Sequence, residues 1–198
     1  MQTQRQAKSH PVEAPDEALL VAFANGDNEA GQLLLNRLAP RIFGYATRVL
    51  GNRADAEDVV QEAMLRLWKV APDWRQGEAQ VSTWLYRVAV NLCTDRLRKS
   101  NRQLPIDSIP EPADDLADTV ERLTEFQRAA ALNAALTALP DRQRQAVVLR
   151  HIEGLANPEI ASIMDLSVEA VESLTARGKR ALKAALMGRK NELGYSND

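Results

Sequence analysis

The chain has 198 residues, enough for one large domain or two small ones, and its 45% hydrophobic content is sufficient to build packed cores. A single cysteine, Cys93, excludes an intramolecular disulfide, and no apolar run approaches the roughly 20 residues needed to cross a bilayer. A cytoplasmic protein without membrane insertion is therefore expected, and its formal net charge of −2 does not by itself announce a nucleic-acid partner.

Residues 1–15 are polar, carry Pro11 and Pro15, and lack the apolar stretch of a signal peptide, so a disordered tail is expected there. Helical periodicity begins near Asp16, where Leu19, Leu20 and Phe23 lead into an Asn25-Gly26-Asp27 turn. A second helix carries Leu33, Leu34, Leu38, Ile42, Tyr45 and Val49, and Gly51-Asn52 closes it. A third is expected over 54–70, burying Val60, Ala63, Met64 and Leu67, and a fourth over 81–100, burying Val81, Leu85, Val88, Ala89 and Leu92. Cys93 lies on the flank of that apolar face and is expected to be a small packed side chain.

Residues 104–113 contain Pro105, Pro110 and Pro112 and continue into acidic residues, as a linker does. Helix resumes from about 116 to 139, and three shorter helices fit 141–151, 158–164 and 168–187. No segment alternates as a strand and no fixed-period repeat occurs. The expected fold is all-α, with two small helical bundles joined by a flexible acidic linker. Basic residues cluster at 87–103 and again at 177–190, on either side of an acidic block at 107–125.

In the second bundle, Asn157-Pro158 offers a cap and a first-turn proline, Asp165-Leu166-Ser167 makes a short turn, and Ser167 caps a longer helix. That succession is a helix-turn-helix. The longer helix has an apolar stripe of Val171, Leu174, Thr175, Gly178 and Leu182. Its opposite face carries Glu169, Ser173, Ala176, Arg177 and Arg180, where Arg177 and Arg180 suit phosphate or base contacts and Ser173 adds a small hydrogen-bonding group. Glu169 and Glu172 oppose such contacts, because carboxylates repel phosphates.

In the first bundle, the outer face of the third helix carries Asp58, Gln61, Glu62, Leu65 and Lys69, an exposed leucine within a polar rim that suits a protein interface. The fourth helix presents Arg87, Asn91, Thr94, Arg98 and Arg102, with Trp84 at the edge. Arginines track phosphates, and an asparagine hydrogen-bonds a base edge. Trp84 is either a stacking platform or part of the core.

These segments resemble a known family. Residues 55–68, DAEDVVQEAMLRLW, are similar to the polymerase-clamp-binding helix of the extracytoplasmic-function sigma factors of bacterial RNA polymerase. Residues 84–91, WLYRVAVN, with 95–99, DRLRK, resemble that family's promoter-melting and minus-ten segment. Leu139-Pro140, Glu153-Gly154-Leu155 and Glu159-Ile160-Ala161 resemble its region 4, which reads the minus-thirty-five element. The likeness covers about residues 16–187, with the motifs in the family's order.

The resemblance implies a tail at 1–15, region 2 at 16–103, a linker at 104–117, region 4 at 118–188 and a tail at 189–198. It implies an alternative sigma factor that docks on the beta-prime clamp helices and beta flap of core RNA polymerase, binds promoter DNA and is controlled by an anti-sigma factor, which can hold it at the membrane. Asp58, Gln61, Glu62 and Leu65 would face polymerase. Trp84, Arg87, Asn91, Arg98 and Arg102 would serve the minus-ten element, and Ser173, Arg177 and Arg180 the minus-thirty-five element. Many members carry a basic residue at the position of Glu172, an arginine at that of Leu174 and an alanine at that of Gly178, so an unusual promoter element is expected.

No enzyme, cofactor or metal is expected. The two histidines, His10 and His151, have no catalytic or zinc-ligand spacing, no glycine-rich phosphate loop occurs, and Glu57, Asp58 and Glu62 read as a solvated face. The alternative is a sigma-like decoy that sequesters an anti-sigma factor without touching DNA. Glu172 and Leu174 favour it, whereas cations on both DNA faces oppose it. A one-domain helix-turn-helix regulator would leave the first bundle's motifs unexplained.

Overall fold

The computed structural model describes residues 14–77, 79–100 and 120–187, with the side chains of 120–126 left aside. Residues 1–13 of the tail expected at 1–15, the linker at 104–117, the tail at 189–198 and Arg102 lie outside the described residues. Among those described there is no strand, and eight α-helices follow one another: α1 (Asp16–Ala24), α2 (Asn28–Leu50), α3 (Arg53–Val70), α4 (Val81–Ser100), α5 (Val120–Thr137), α6 (Asp141–Val147), α7 (Asn157–Met164) and α8 (Val168–Met187).

Local chemistry sets the helix ends. The Asp27 carboxylate accepts the backbone N–H groups of Glu29 and Ala30 and starts α2. Gly51, at φ 69°, ends α2 by donating its N–H to the Thr47 carbonyl, and the Asn52 side chain then accepts from Asp55 to start α3. Arg37 reaches the Asp16 carboxylate and the Ala14 carbonyl, which ties α1 to α2.

Leu19, Leu20, Leu34, Leu38, Ile42, Tyr45, Val49, Leu67 and Leu85 are fully buried between α1–α4. The buried faces of α3 and α4 differ from those expected. Val59 is buried and Val60 half-buried, while Tyr86, Val90 and Cys93 are buried and Val88 is half-buried. The reason on α4 is that it is covered from two sides. Its first side meets α2 and α3, and its second meets α6 and α7 of the other bundle.

The two bundles are therefore packed on each other and share one apolar core. Among the described residues, three polar contacts cross between them. The Arg144 guanidinium donates to the Val49 carbonyl, the Gln145 Nε2 donates to Thr94 Oγ1 at 3.0 Å, and the Tyr86 hydroxyl donates to Glu153.

In the second bundle α6 runs into a π-helical turn, Val148–Ile152. Asp165 adopts the left-handed conformation (φ 53°) between α7 and α8, and Ser167 Oγ accepts from the Ala170 N–H, as expected of its cap. Asn157 does not cap α7. Ala156 holds the cap position, its N–H bonds back to the Glu159 carboxylate, and Asn157 is already in the first turn, reaching Glu172 at 3.4 Å. Gly178 is buried where α8 meets α6, and a Cβ there would lie 2.5 Å from Val147 Cγ2. The missing side chain is what lets the two helices approach.

Candidate polymerase and promoter surfaces

On α3, Asp58, Gln61 and Leu65 are exposed and Glu62 is half-buried beside Arg66, its ion-pair partner one turn on. Leu65 is 60% exposed, and among the described residues Met187 is the other large hydrophobic side chain left so open. Helical spacing puts Asp58, Gln61, Glu62 and Leu65 on one face. Asp58 is 3.9 Å from half-buried Arg96 of α4, a loose pair. Gln61 also borders an open apolar groove of about 730 Å3 between α2 and α3, floored by Leu35, Phe43 and Val60. The groove was not apparent in the sequence, because its walls come from two helices and Pro40 sits inside α2.

On α4, Arg87, Asn91 and Arg98 are exposed. Arg87 and Asn91 are four residues apart and Arg98 is seven further, so the three form one stripe. The Arg98–Asp95 pair spans 3.9 Å with both side chains about two-thirds exposed, so a phosphate can displace the carboxylate at small cost. Trp84 is half-buried, edge-on to Trp74 with centroids 6.1 Å apart, and joins the loop to the core. Thr94, expected in the stripe, is occupied: its hydroxyl donates to the Val90 carbonyl and accepts from Gln145.

Asn91, Asp95 and Arg98 line one wall of a crevice of about 180 Å3, whose other wall is Arg142, Gln145 and Met164. Sequence reasoning missed Arg142 and Gln145, since nothing local connects them to a helix some fifty positions earlier.

Cys93 is fully buried beneath this stripe. Burial pushes its thiol up to about 12, with Arg96 opposing and Asp55 adding, so it stays protonated and unreactive near neutrality.

On α8, Ser173, Arg177 and Arg180 are exposed, as are Glu169 and Ala176, while Val171, Thr175 and Gly178 are buried. The expected inner and outer faces are thus both found. Leu174 is half-buried and packs against the core, so it belongs to the inner side of the helix. Glu172 is held by Asn157 at the α7 end. Its own backbone N–H, and then the Ser167 hydroxyl, hold the Glu169 carboxyl below its ordinary value. Desolvation, and then Lys179 and Arg150, hold the His151 imidazolium below its ordinary value. Lys179 and Arg150 thus place positive charge beside α8, next to an imidazole whose charged form they disfavour.

Among the described residues no group of acidic, histidine or cysteine side chains could hold a metal ion, and no helix is long and apolar enough to cross a membrane.

Two family models match the chain: Sigma-70 region 2 over residues 34–103 and Sigma-70 region 4 over residues 129–182. The chain is 33% identical over 196 residues to the ECF RNA polymerase sigma factor SigE of Mycolicibacterium smegmatis, covering 93% of this chain and 74% of that protein. It is 32% identical over 180 residues to the ECF RNA polymerase sigma-E factor of Haemophilus influenzae, covering 85% and 93%. Among solved structures it resembles CnrH in complex with the cytosolic domain of CnrY, with a TM-score of 0.64, 28% identity and coverage of 87% and 97%. It shares the fold of the sigma factor RpoE in complex with the anti-sigma factor NepR from Bartonella quintana, with a TM-score of 0.62 at 20% identity over 77% of this chain and 94% of that one.

Proposed function

Because this chain belongs to the extracytoplasmic-function sigma factor family, we propose that it docks on core RNA polymerase through α3 and directs initiation at promoters by using α8 for the minus-thirty-five element and α4 for the minus-ten element. Residues 16–103 then act as region 2 and residues 118–188 as region 4. The observation that carries this reading is the pairing of two cationic, hydrogen-bonding helix faces with one apolar-centred patch. Arg87, Asn91 and Arg98 lie on α4, and Ser173, Arg177 and Arg180 on α8, all exposed. Leu65, ringed by Asp58, Gln61 and Glu62, supplies the patch.

Each face has a distinct task. Phosphate contacts position a protein on DNA, and base contacts give it specificity. On α8 the arginines supply the first and Ser173 contributes to the second. Strand opening needs a base drawn from the stack, at a cost of a few kcal/mol. Asn91 offers that base both a donor and an acceptor, while Arg87 and Arg98 hold the flanking phosphates. Leu65 enters a pocket on the beta-prime clamp helices, and the polar rim around it excludes water.

The same surfaces are those an anti-sigma factor would cover, and the likeness to CnrH, solved in complex with the cytosolic domain of CnrY, supports such control. The decoy reading loses one of its two supports. Half-buried Leu174 lies on the packed side of α8, so an arginine missing at that position removes no outward-facing DNA contact.

Run-off transcription with purified core polymerase on a promoter library tests the proposal. The expected result is a set of transcripts sharing two upstream elements. A protein that binds core polymerase yet yields no promoter-specific transcript would overturn it in favour of the decoy.

A further inference from the structure

The crevice between the bundles places two guanidinium groups on opposite walls, Arg98 on α4 and Arg142 on α6. Like charges across a narrow gap repel, and one anion held between them replaces that repulsion with two attractions. Arg142 is exposed and has no hydrogen-bond or ion-pair partner among the described residues. The same holds for Asn91, whose amide can donate to an oxyanion. Gln145 is 3% exposed and uses one amide hydrogen on Thr94 Oγ1, which leaves the second for a ligand.

Size and charge narrow the choice of ligand. The crevice holds about 180 Å3, whereas sites for drug-sized ligands run to about 300–1,000 Å3. At about 30 Å3 per water molecule it takes about six waters, so a tetrahedral oxyanion with part of its hydration fits and a whole nucleotide does not. Guanidinium forks suit two oxygens of such an anion. Asp95 is the discordant member, because its carboxylate lines the same wall, loosely paired with Arg98 at 3.9 Å. A carboxylate accepts a hydrogen bond from a protonated oxyanion oxygen and repels a bare one. Near neutral pH inorganic phosphate always carries a proton, whereas sulfate and the phosphodiesters of DNA carry none.

We infer that this crevice is a binding site for free inorganic phosphate. Arg98 and Arg142 grip the anion from the two sides, Asn91 and Gln145 donate to it, and Asp95 accepts the phosphate's own hydrogen. Both bundles supply binding groups, so phosphate binds their packed arrangement and, by linkage, strengthens it. The site exists whatever α4 does on a promoter.

Calorimetric titration of the full chain with inorganic phosphate, at constant ionic strength and in a buffer free of other oxyanions, tests the site. Phosphate should bind once per chain, and sulfate about 10-fold more weakly, because the contact to Asp95 turns from attraction to repulsion. Arg142→Ala replaces an exposed side chain without partners, so its circular dichroism should match the parent's. It should weaken phosphate binding by about 10- to 100-fold, the loss of one charge-assisted pair. Asp95→Asn should admit sulfate and bring the two ions to similar affinity. No phosphate binding by the parent, or unchanged binding in Arg142→Ala, would overturn the site. Sulfate bound by the parent as tightly as phosphate, or a preference for phosphate that survives Asp95→Asn, would overturn the assignment to phosphate.

Discussion

Gly178→Ala sets two known effects of opposite sign against each other. Alanine is favoured over glycine inside a helix by about 1 kcal/mol, so propensity alone predicts a more stable protein. The structure predicts the reverse. The added Cβ would lie 2.5 Å from Val147 Cγ2 and 3.4 Å from the Gln143 carbonyl oxygen. Carbon atoms pack best at about 3.5–4.0 Å, so the overlap is roughly 1 Å. Val147 is 2% exposed, and a β-branched side chain in a helix has essentially one rotamer, so it cannot swing away. Overpacking of this kind costs about 1–3 kcal/mol. The net expectation is a loss of up to about 2 kcal/mol in a urea titration followed by helical circular dichroism. Val147→Ala alone should also destabilise, by leaving a cavity. In the Gly178→Ala background it should instead restore stability, with a coupling of about 1–2 kcal/mol in the double-mutant cycle. A Gly178→Ala protein that is more stable than the parent, or two substitutions that simply add, would refute the close packing of α6 and α8.

Leu65→Asp should weaken core-polymerase binding by several kcal/mol, on the order of the cost of burying an unpaired carboxylate, while the melting curve stays near the parent's; unchanged affinity would remove Leu65 from the interface. Arg177→Ala should reduce the salt dependence of promoter binding by about one phosphate contact, or, if the contact is to a base, cost about 1–3 kcal/mol and relax specificity at one position. A variant that binds every sequence as the parent does would show that this face of α8 makes no such contact. Stability should fall at alkaline pH. The Cys93 thiol, raised from 9.0 to about 12, favours the folded state below about pH 9 and loses that contribution as pH rises towards 12, for a change of about 2–3 kcal/mol by pH 11. Tyr45 and Tyr86, whose hydroxyls burial also pushes up, act in the same sense above about pH 10. Cys93→Ala should therefore flatten, without abolishing, the decline in urea midpoint over that range, and an identical decline would contradict the assignment.

What could be read in the sequence was local. The Asn25-Gly26-Asp27 turn, the Gly51-Asn52 stop, the Ser167 cap and the two faces of α8 each depend on residues within a few positions of one another, and each is found. The misread cap at Asn157 is a shift of one residue, caused by the Glu159 carboxylate satisfying the Ala156 N–H from inside the helix. Gly178 stood out in the sequence only as a glycine where many family members carry alanine, because its value lies in a contact with Val147, thirty-one positions away. The buried face of α4 was drawn too narrow for the same reason: Tyr86 packs edge-on against Tyr45 of α2 and bonds Glu153, and Val90 faces Gln145 and Met164, neighbours that leave no periodic signature in α4 itself. Arg144 showed only as a charge in a helix. Its burial against the ends of α2 and α5 is a matter of tertiary packing.

The most direct measurement is permanganate footprinting of unpaired thymines at the cognate promoter, run beside a core-polymerase binding assay, for the parent and for Asn91→Ala. Extruding a base costs a few kcal/mol, and Asn91 with Arg87 and Arg98 is the surface assigned to repay it. The parent should render the minus-ten thymines reactive. Asn91→Ala should bind core polymerase as the parent does and leave those thymines unreactive. Undiminished reactivity in Asn91→Ala, and again in the Asn91→Ala/Arg98→Ala double variant, would contradict the assignment of strand capture to α4.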